Sequence, residues 1–371
     1  MRSRIRFQSE PCRGNWRTSV QLRSRIGAAL AGPHAADEKL SNSNAIAAPQ
    51  AKRADAVSGR RSNWRGLRGA IALVVVALAA FLLYRTLSHY ESEELLASIL
   101  SVRVSHLLTA IGWAAASYLC LTGFDYLALR YVDRPLPYPK VALASFVSLS
   151  MGHNIGFAAL SSGAIRYRFY SREGLSAAQV AKVIVFCGAT VGFGLVALAG
   201  IAILMRPGLA ETVLGLSQPV LLTVAGACLA VPAVYVALAW LVRQPLHIFG
   251  WSIEMPGVKL AAAQVFIGTL NFAFVAACLH QVLNASFEVA YPTTAAVFAL
   301  ANSAAIVSHV PGGLGVIESV VVSLLPGSGA LPLVLVFRFV YFLLPLTIGG
   351  TLFAISELWV RSGQSGERAR R

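Results

Sequence analysis

From Gly69 onward the chain reads as long uncharged stretches separated by short polar ones. The uncharged runs are 69–84, 104–124, 141–165, 183–205, 212–242, 260–287, 289–317, 319–337 and 339–356. A helix rises about 1.5 Å per residue and the hydrocarbon core of a bilayer is about 30 Å thick, so about 20 apolar residues cross it. Most runs reach that length alone; 69–84 is short and borrows Leu67 and residues after Arg85. With no water to bond the backbone, helices are the default spanning element. The pattern predicts an all-α polytopic membrane protein with six to eight transmembrane helices.

Two runs are interrupted. Residues 141–166 carry Gly152, His153, Asn154, Gly156 and Gly163 after Pro135 and Pro137, and residues 293–325 carry His309, Pro311, Gly312, Gly313 and Gly315 before Pro326. Gly and Pro at this density break a helix. A broken backbone survives in lipid only where protein or a wet cavity surrounds it.

Composition fits this class. Only 13% of the 371 residues are charged and 56% are hydrophobic, against about 25% charged in soluble domains. A large soluble enzyme, a disordered chain and a disulfide scaffold are excluded. The net charge of +15 is concentrated in residues 1–68, which are rich in Arg, Ser, Asn and Ala with no apolar period. These are read as a disordered basic cytoplasmic tail, 69–360 as the transmembrane domain and 361–371 as a short basic cytoplasmic tail. A basic flank beside a span sets orientation or touches anionic lipid, so no nucleic-acid partner is expected. Cys12, Cys120, Cys187, Cys228 and Cys278 lack metal-ligand spacing, and neither metal nor cofactor is expected.

Loop charges bear on topology. With both broken runs spanning and a cytoplasmic N-terminus, loops outside hold eight Lys/Arg and loops inside four. With both re-entrant, six spans remain, and nine Lys/Arg lie inside against three outside. The second arrangement obeys the positive-inside rule. It places both termini in the cytoplasm and sends one hairpin in from each face, as inverted repeats with a midplane site do.

The candidate chemistry sits at the breaks. Arg166, Arg168 and Arg172 follow the first, and arginine's fork of donors suits phosphate. His153, Asn154, Ser161, Ser162 and the backbone near Gly163 add polar groups. The bland alternative is a positively charged flank with snorkelling side chains. At the second break, Glu318 is a carboxylate in a long apolar surround, and Arg338 is the other full charge before Glu357. The pair is either a structural ion bridge or a site where Glu318 lines a wet cavity and meets a cation or proton. Asp125 is expected to pair with Arg130. Asn271, His280 and Asn302 fit interhelical hydrogen bonds. GxxxxGK[ST], GxSxG and HExxH do not occur, so ATPase, hydrolase and zincin readings lack support.

The segments GHNIGFAALSSGAIRYRFYS, SHVPGGLGVIES and FRFVYFLLPLTIGG resemble the transmembrane domain of the lysylphosphatidylglycerol synthetase/flippase family (MprF-type), which includes YbhN-like uncharacterised membrane proteins. The likeness covers about residues 65–360. Full-length members join this domain to a cytosolic aminoacyltransferase that makes lysylphosphatidylglycerol. The membrane half is held to flip that lipid outward, which lowers surface negative charge and protects against cationic peptides. The resemblance implies a lipid translocator of the bacterial inner membrane. Phospholipids are its expected partners, with Arg166, Arg168 and Arg338 at the headgroup phosphate and Glu318 at a cationic group or proton. His153, Asn154, Ser161, Gly163, His309, Pro311, Gly312 and Gly313 are supporting groups. The chain stops at Arg371 without a transferase half, so it is expected not to be an enzyme itself. The alternatives are a membrane module serving a separate cytosolic aminoacyltransferase, and a non-transporting scaffold; a homo-oligomer is open under each.

Overall fold

The described residues that lack charge are helical almost throughout. The computed structural model describes residue 100 and residues 102–369 apart from 156–157, 243–245, 249–250, 309 and 326–329. The tail 1–68, the run 69–84 and His309 lie outside the described residues.

The helices are α1 (Val104–Tyr131), α2 (Tyr138–Ile155), α3 (Ala158–Arg172), α4 (Ala177–Met205), α5 (Pro207–Leu214), α6 (Gln218–Leu241), α7 (Val258–Leu283), α8 (Tyr291–Ser308), α9 (Val316–Leu324), α10 (Ala330–Arg338) and α11 (Leu344–Ala369). Strands β1 (Leu246–Ile248) and β2 (Trp251–Ile253) pair antiparallel between α6 and α7. A π-helical segment, Phe339–Leu343, joins α10 to α11 in one rod. Among the described residues α1, α4, α6, α7 and the rod Ala330–Trp359 are long and apolar enough to cross a membrane. These match the unbroken runs of the sequence, and α11 continues to Ala369 across residues read as a short basic tail.

Local rules explain the boundaries. Ser176 opens α4 with a reciprocal capping box: its hydroxyl accepts from the Gln179 N–H at 3.2 Å, and Gln179 Oε1 accepts from the Ser176 N–H at 3.0 Å. The core rests on α1 against α7, with α4 beside them. α4 and α7 cross at Gly194 and Gly268, where a Cβ on Gly194 would lie 2.3 Å from the Gly268 carbonyl carbon. Small residues at a crossing let two backbones touch in the absence of a hydrophobic driving force.

Both broken runs are helical hairpins. Lys140, near the start of α2, pairs with Glu173, just beyond α3, at 2.7 Å. The two ends of the α2–α3 hairpin therefore sit together, at the end of the bundle where α1 finishes and Tyr131 donates to the Glu254 carbonyl before α7. At the opposite end, His106 near the start of α1 meets Gln281 near the finish of α7. There α8 also begins, with the Tyr291 ring 5.6 Å from His280. α9 runs back towards that end, and α10 sets out from it antiparallel to α9. The hairpins thus reach inward from opposite ends of the bundle.

Sidedness gives a first prediction. By the positive-inside rule the nine-to-three Lys/Arg split predicts residues 161–182 on the cytoplasmic side. Ser171 is exposed near the end of α3. A cysteine there, in an otherwise cysteine-free chain, should resist an impermeant thiol reagent applied to intact cells and react after permeabilisation. Ready labelling of intact cells would reverse the orientation.

Candidate functional site

The hairpin tips meet. A Cβ on Gly312 would lie 3.6 Å from the His153 carbonyl oxygen and 3.9 Å from that of Asn154, so the Pro311–Gly313 turn packs on the C-terminal end of α2. The turn has its shape because Gly312, Gly313 and Gly315 have φ of 62°, 59° and 78°. That region costs an ordinary L-residue roughly 1–2 kcal/mol, which accounts for the Pro-Gly-Gly-Leu-Gly run. Ser161 donates to the Gly152 carbonyl at 3.3 Å. A Cβ on Gly163 would lie 2.8 Å from Ile184 Cδ1, so that glycine lets α3 approach α4.

Asn154 donates from Nδ2 to the Ser150 carbonyl at 2.8 Å and to the Phe342 carbonyl at 3.4 Å. Phe342 belongs to the π segment, whose wider turn disturbs the ordinary helical ladder; such segments are frequent at functional sites. Tyr341 in the same segment bonds Ser117 at 3.0 Å, and Ser117 donates to Asn271 Oδ1 at 2.7 Å. That is the interhelical role expected of Asn271. Nδ1 of His153 is buried and has no hydrogen-bond partner among the described residues.

Directly behind the turn lie Glu318 and Arg338, buried at 5% and 3% exposure. Arg338 Nη2 donates to Glu318 Oε2 at 2.8 Å and Nε to Oε1. Its remaining donors reach the Gly312 carbonyl at 2.9 Å and the Gly313 carbonyl at 2.6 Å. The guanidinium therefore sits in a cage of four oxygens and ties α10 to both the carboxylate and the broken turn. Glu318 is buried against this cation rather than lining an open cavity, because a carboxylate in apolar surroundings takes an available guanidinium.

Arg166 is placed differently from the expectation of a headgroup-facing cation. Nε and Nη2 donate to Asp125 Oδ1 and Oδ2, both at 2.8 Å, and Nη1 to Ser162 at 2.9 Å. Tyr170 adds a hydroxyl to Oδ1 at 2.8 Å and Ser145 one to Oδ2 at 2.6 Å. The pair is sealed, with both side chains at 3% exposure or less. This corrects the expected Asp125–Arg130 pair. Arg130 instead bonds the Tyr126 hydroxyl at 2.6 Å and lies over its ring, because it occupies the open end of α1.

Arg168 faces α11. Its Nε donates to Glu357 Oε1 at 2.8 Å and its Nη2 to Oε2, and Arg172 shares Oε1 at 2.6 Å. Sequence reasoning missed Glu357 as the carboxylate that Arg168 and Arg172 share. The available signal was an acid closing the 339–356 run opposite a basic run of i, i+4 spacing. Of the expected site residues, the structure gathers His153, Asn154, Pro311, Gly312, Gly313, Glu318 and Arg338 at one seam. It leaves Arg166 and Arg168 in separate clusters further along α3.

The comparisons agree with this architecture. Residues 69–349 match the family described as the lysylphosphatidylglycerol synthase TM region. The uncharacterised protein slr0712 of Synechocystis sp. is 29% identical over 281 residues, 75% of this chain and 87% of the relative. The inner membrane protein YbhN of Escherichia coli is 28% identical over 260 residues, 68% of this chain and 80% of the relative. The matched region contains both hairpins, the seam and the start of α11, and the chain belongs to the lysylphosphatidylglycerol synthase transmembrane-region family.

Proposed function

We propose that this integral membrane protein carries a phospholipid head across the bacterial inner membrane, with lysylphosphatidylglycerol or a related lipid as cargo. One observation carries the reading: two hairpins from opposite ends of the bundle meet tip to tip at a polar, glycine-broken seam holding a buried ion pair. Broken backbone at that depth needs a reason, and a site between opposed repeats is the recurrent one in transporters. The pair supplies both charges a zwitterionic head needs. When Glu318 and Arg338 part, the guanidinium is left to receive phosphate and the carboxylate to receive ammonium. The acyl tails stay in lipid outside. In this conformation the pair is closed, so movement requires the hairpins to separate. Under this reading the chain has no catalytic residue of its own, and outward movement of a cationic lipid would lower surface negative charge.

A second reading has its own observation. Glu318, Arg338, Arg166 and Arg168 are all engaged by opposite charges within the fold, which favours a scaffold that transports nothing. A reconstituted assay separates the two. Liposomes containing the purified full chain should exchange headgroup-labelled lysylphosphatidylglycerol, phosphatidylglycerol or phosphatidylethanolamine between leaflets faster than protein-free liposomes. Exchange no faster than in protein-free liposomes for every head tested would end the translocator reading.

A further inference from the structure

Away from the seam, one charge cluster is uneven and open on one side. Arg168 and Arg172 stand four residues apart on α3, where i and i+4 share a face, and both donate to the single carboxylate of Glu357 on α11. The sealed Asp125–Arg166 pair is barely exposed, whereas the Arg172 side chain is 32% exposed. Two guanidinium charges thus share one carboxylate, and Arg172 is the open member, against 14% exposure for the Arg168 side chain and 9% for that of Glu357. A phosphodiester presents the same fork-matching oxygens as a carboxylate and bonds arginine at least as well. The surroundings point to the headgroup level of a membrane. Tyr167, next to Arg168, and Leu358 and Trp359, next to Glu357, lie on the outer surface of the bundle. Aromatic side chains beside basic ones at helix ends mark the interface of a bilayer. Arg172 also lies over the Phe169 ring, which steadies it while leaving one side accessible.

We propose that Arg168 and Arg172 form a docking site for the phosphodiester of an anionic phospholipid in the adjoining leaflet, with Glu357 as a built-in competitor that the phosphate displaces. The site is distinct from the tip-to-tip seam. Only its role as a loading station for cargo rests on the translocator reading; lipid retention at the site stands by itself. The apolar flank commits the ligand to a lipid rather than to free phosphate.

The test uses the full chain in phosphatidylcholine nanodiscs doped with phosphatidylglycerol, with retained lipid identified by native mass spectrometry. The wild type should retain phosphatidylglycerol over phosphatidylcholine. Glu357→Gln removes the competitor and should raise that preference roughly tenfold, the scale of one charge-assisted hydrogen bond. Arg172→Gln keeps the Arg168–Glu357 pair, so it should fold with unchanged thermal stability while the preference falls. A chain carrying Glu357→Gln, Arg168→Gln and Arg172→Gln together should show no preference. Millimolar inorganic phosphate should not displace the lipid. An unaltered preference in both single variants, Glu357→Gln and Arg172→Gln, or a full preference in the triple variant, overturns the site; displacement by inorganic phosphate overturns the commitment to lipid. Retention as described with no lipid exchange in wild-type liposomes sinks the translocator reading alone. Lipid exchange without the retention pattern sinks this site alone.

Discussion

Arg166→Met is expected to strip most of the folded protein from the membrane. Among the described residues Asp125 would keep Tyr170 and Ser145 as partners while remaining fully buried. Removing one partner of a buried pair destabilises by about 3–5 kcal/mol because the other charge is left uncompensated. Typical folded domains hold only about 5–15 kcal/mol in all, and losses of this size lower abundance severalfold in cells. Adding Asp125→Asn should recover much of the abundance, since the amide carries no charge, and its oxygen can accept from one of the two hydroxyls while its NH2 donates to the other. The double variant also decides what Arg166 does. The bonds it makes fasten α3 to α1, so lipid exchange per folded molecule should survive in the double variant. Loss of exchange at full abundance would return Arg166 to headgroup handling, and normal abundance of Arg166→Met alone would show the pair to be energetically neutral.

Much of this architecture was legible from spacing. Uncharged runs of sufficient length became the spanning helices, and the Gly/Pro interruptions became hairpin turns, because helix length and backbone satisfaction in lipid follow from composition alone. The Lys/Arg count favoured re-entrant hairpins over two extra spans, and the Lys140–Glu173 bridge brings the ends of one of them together. The partners of the charges were less legible. Asp125 and Arg166 are 41 positions apart, and they meet because α3 folds back along α2, which itself packs on α1. Arg130 was nearer in sequence but sits at an exposed helix end, where a tyrosine suffices. Arg168 and Glu357 are 189 positions apart; nothing local in either run names the other. The Glu318–Arg338 pair was foreseeable because the intervening sequence offers no other charge. The cage of Gly312 and Gly313 carbonyls around Arg338 was not, because it depends on left-handed glycines turning their oxygens inward. The π segment leaves no recognised mark in residue pattern, so the exposed Phe342 carbonyl that Asn154 reaches was likewise invisible.

The same cage sets the expectation for Glu318. Glu318→Gln keeps the shape of the side chain and removes its charge, leaving Arg338 buried among neutral acceptors. The Gly312 and Gly313 carbonyls hold part of the guanidinium's hydrogen bonding, so the variant should fold, but at reduced abundance. The upper bound is the roughly 3–5 kcal/mol lost when a buried pair is broken. Adding Arg338→Met removes the orphaned cation and should restore much of the abundance, since the cost of an uncompensated buried charge goes with it. Lipid exchange should behave differently. If the parted charges receive phosphate and ammonium, the double variant has lost both receptors, and exchange per folded molecule should fall to the protein-free rate although the protein is plentiful. If the pair is only a brace between α9 and α10, abundance and exchange should recover together. Abundance by immunoblot and exchange in liposomes, measured on the single and double variants side by side, therefore separate a brace from a headgroup site. Normal exchange by a well-expressed double variant would remove Glu318 and Arg338 from the lipid path.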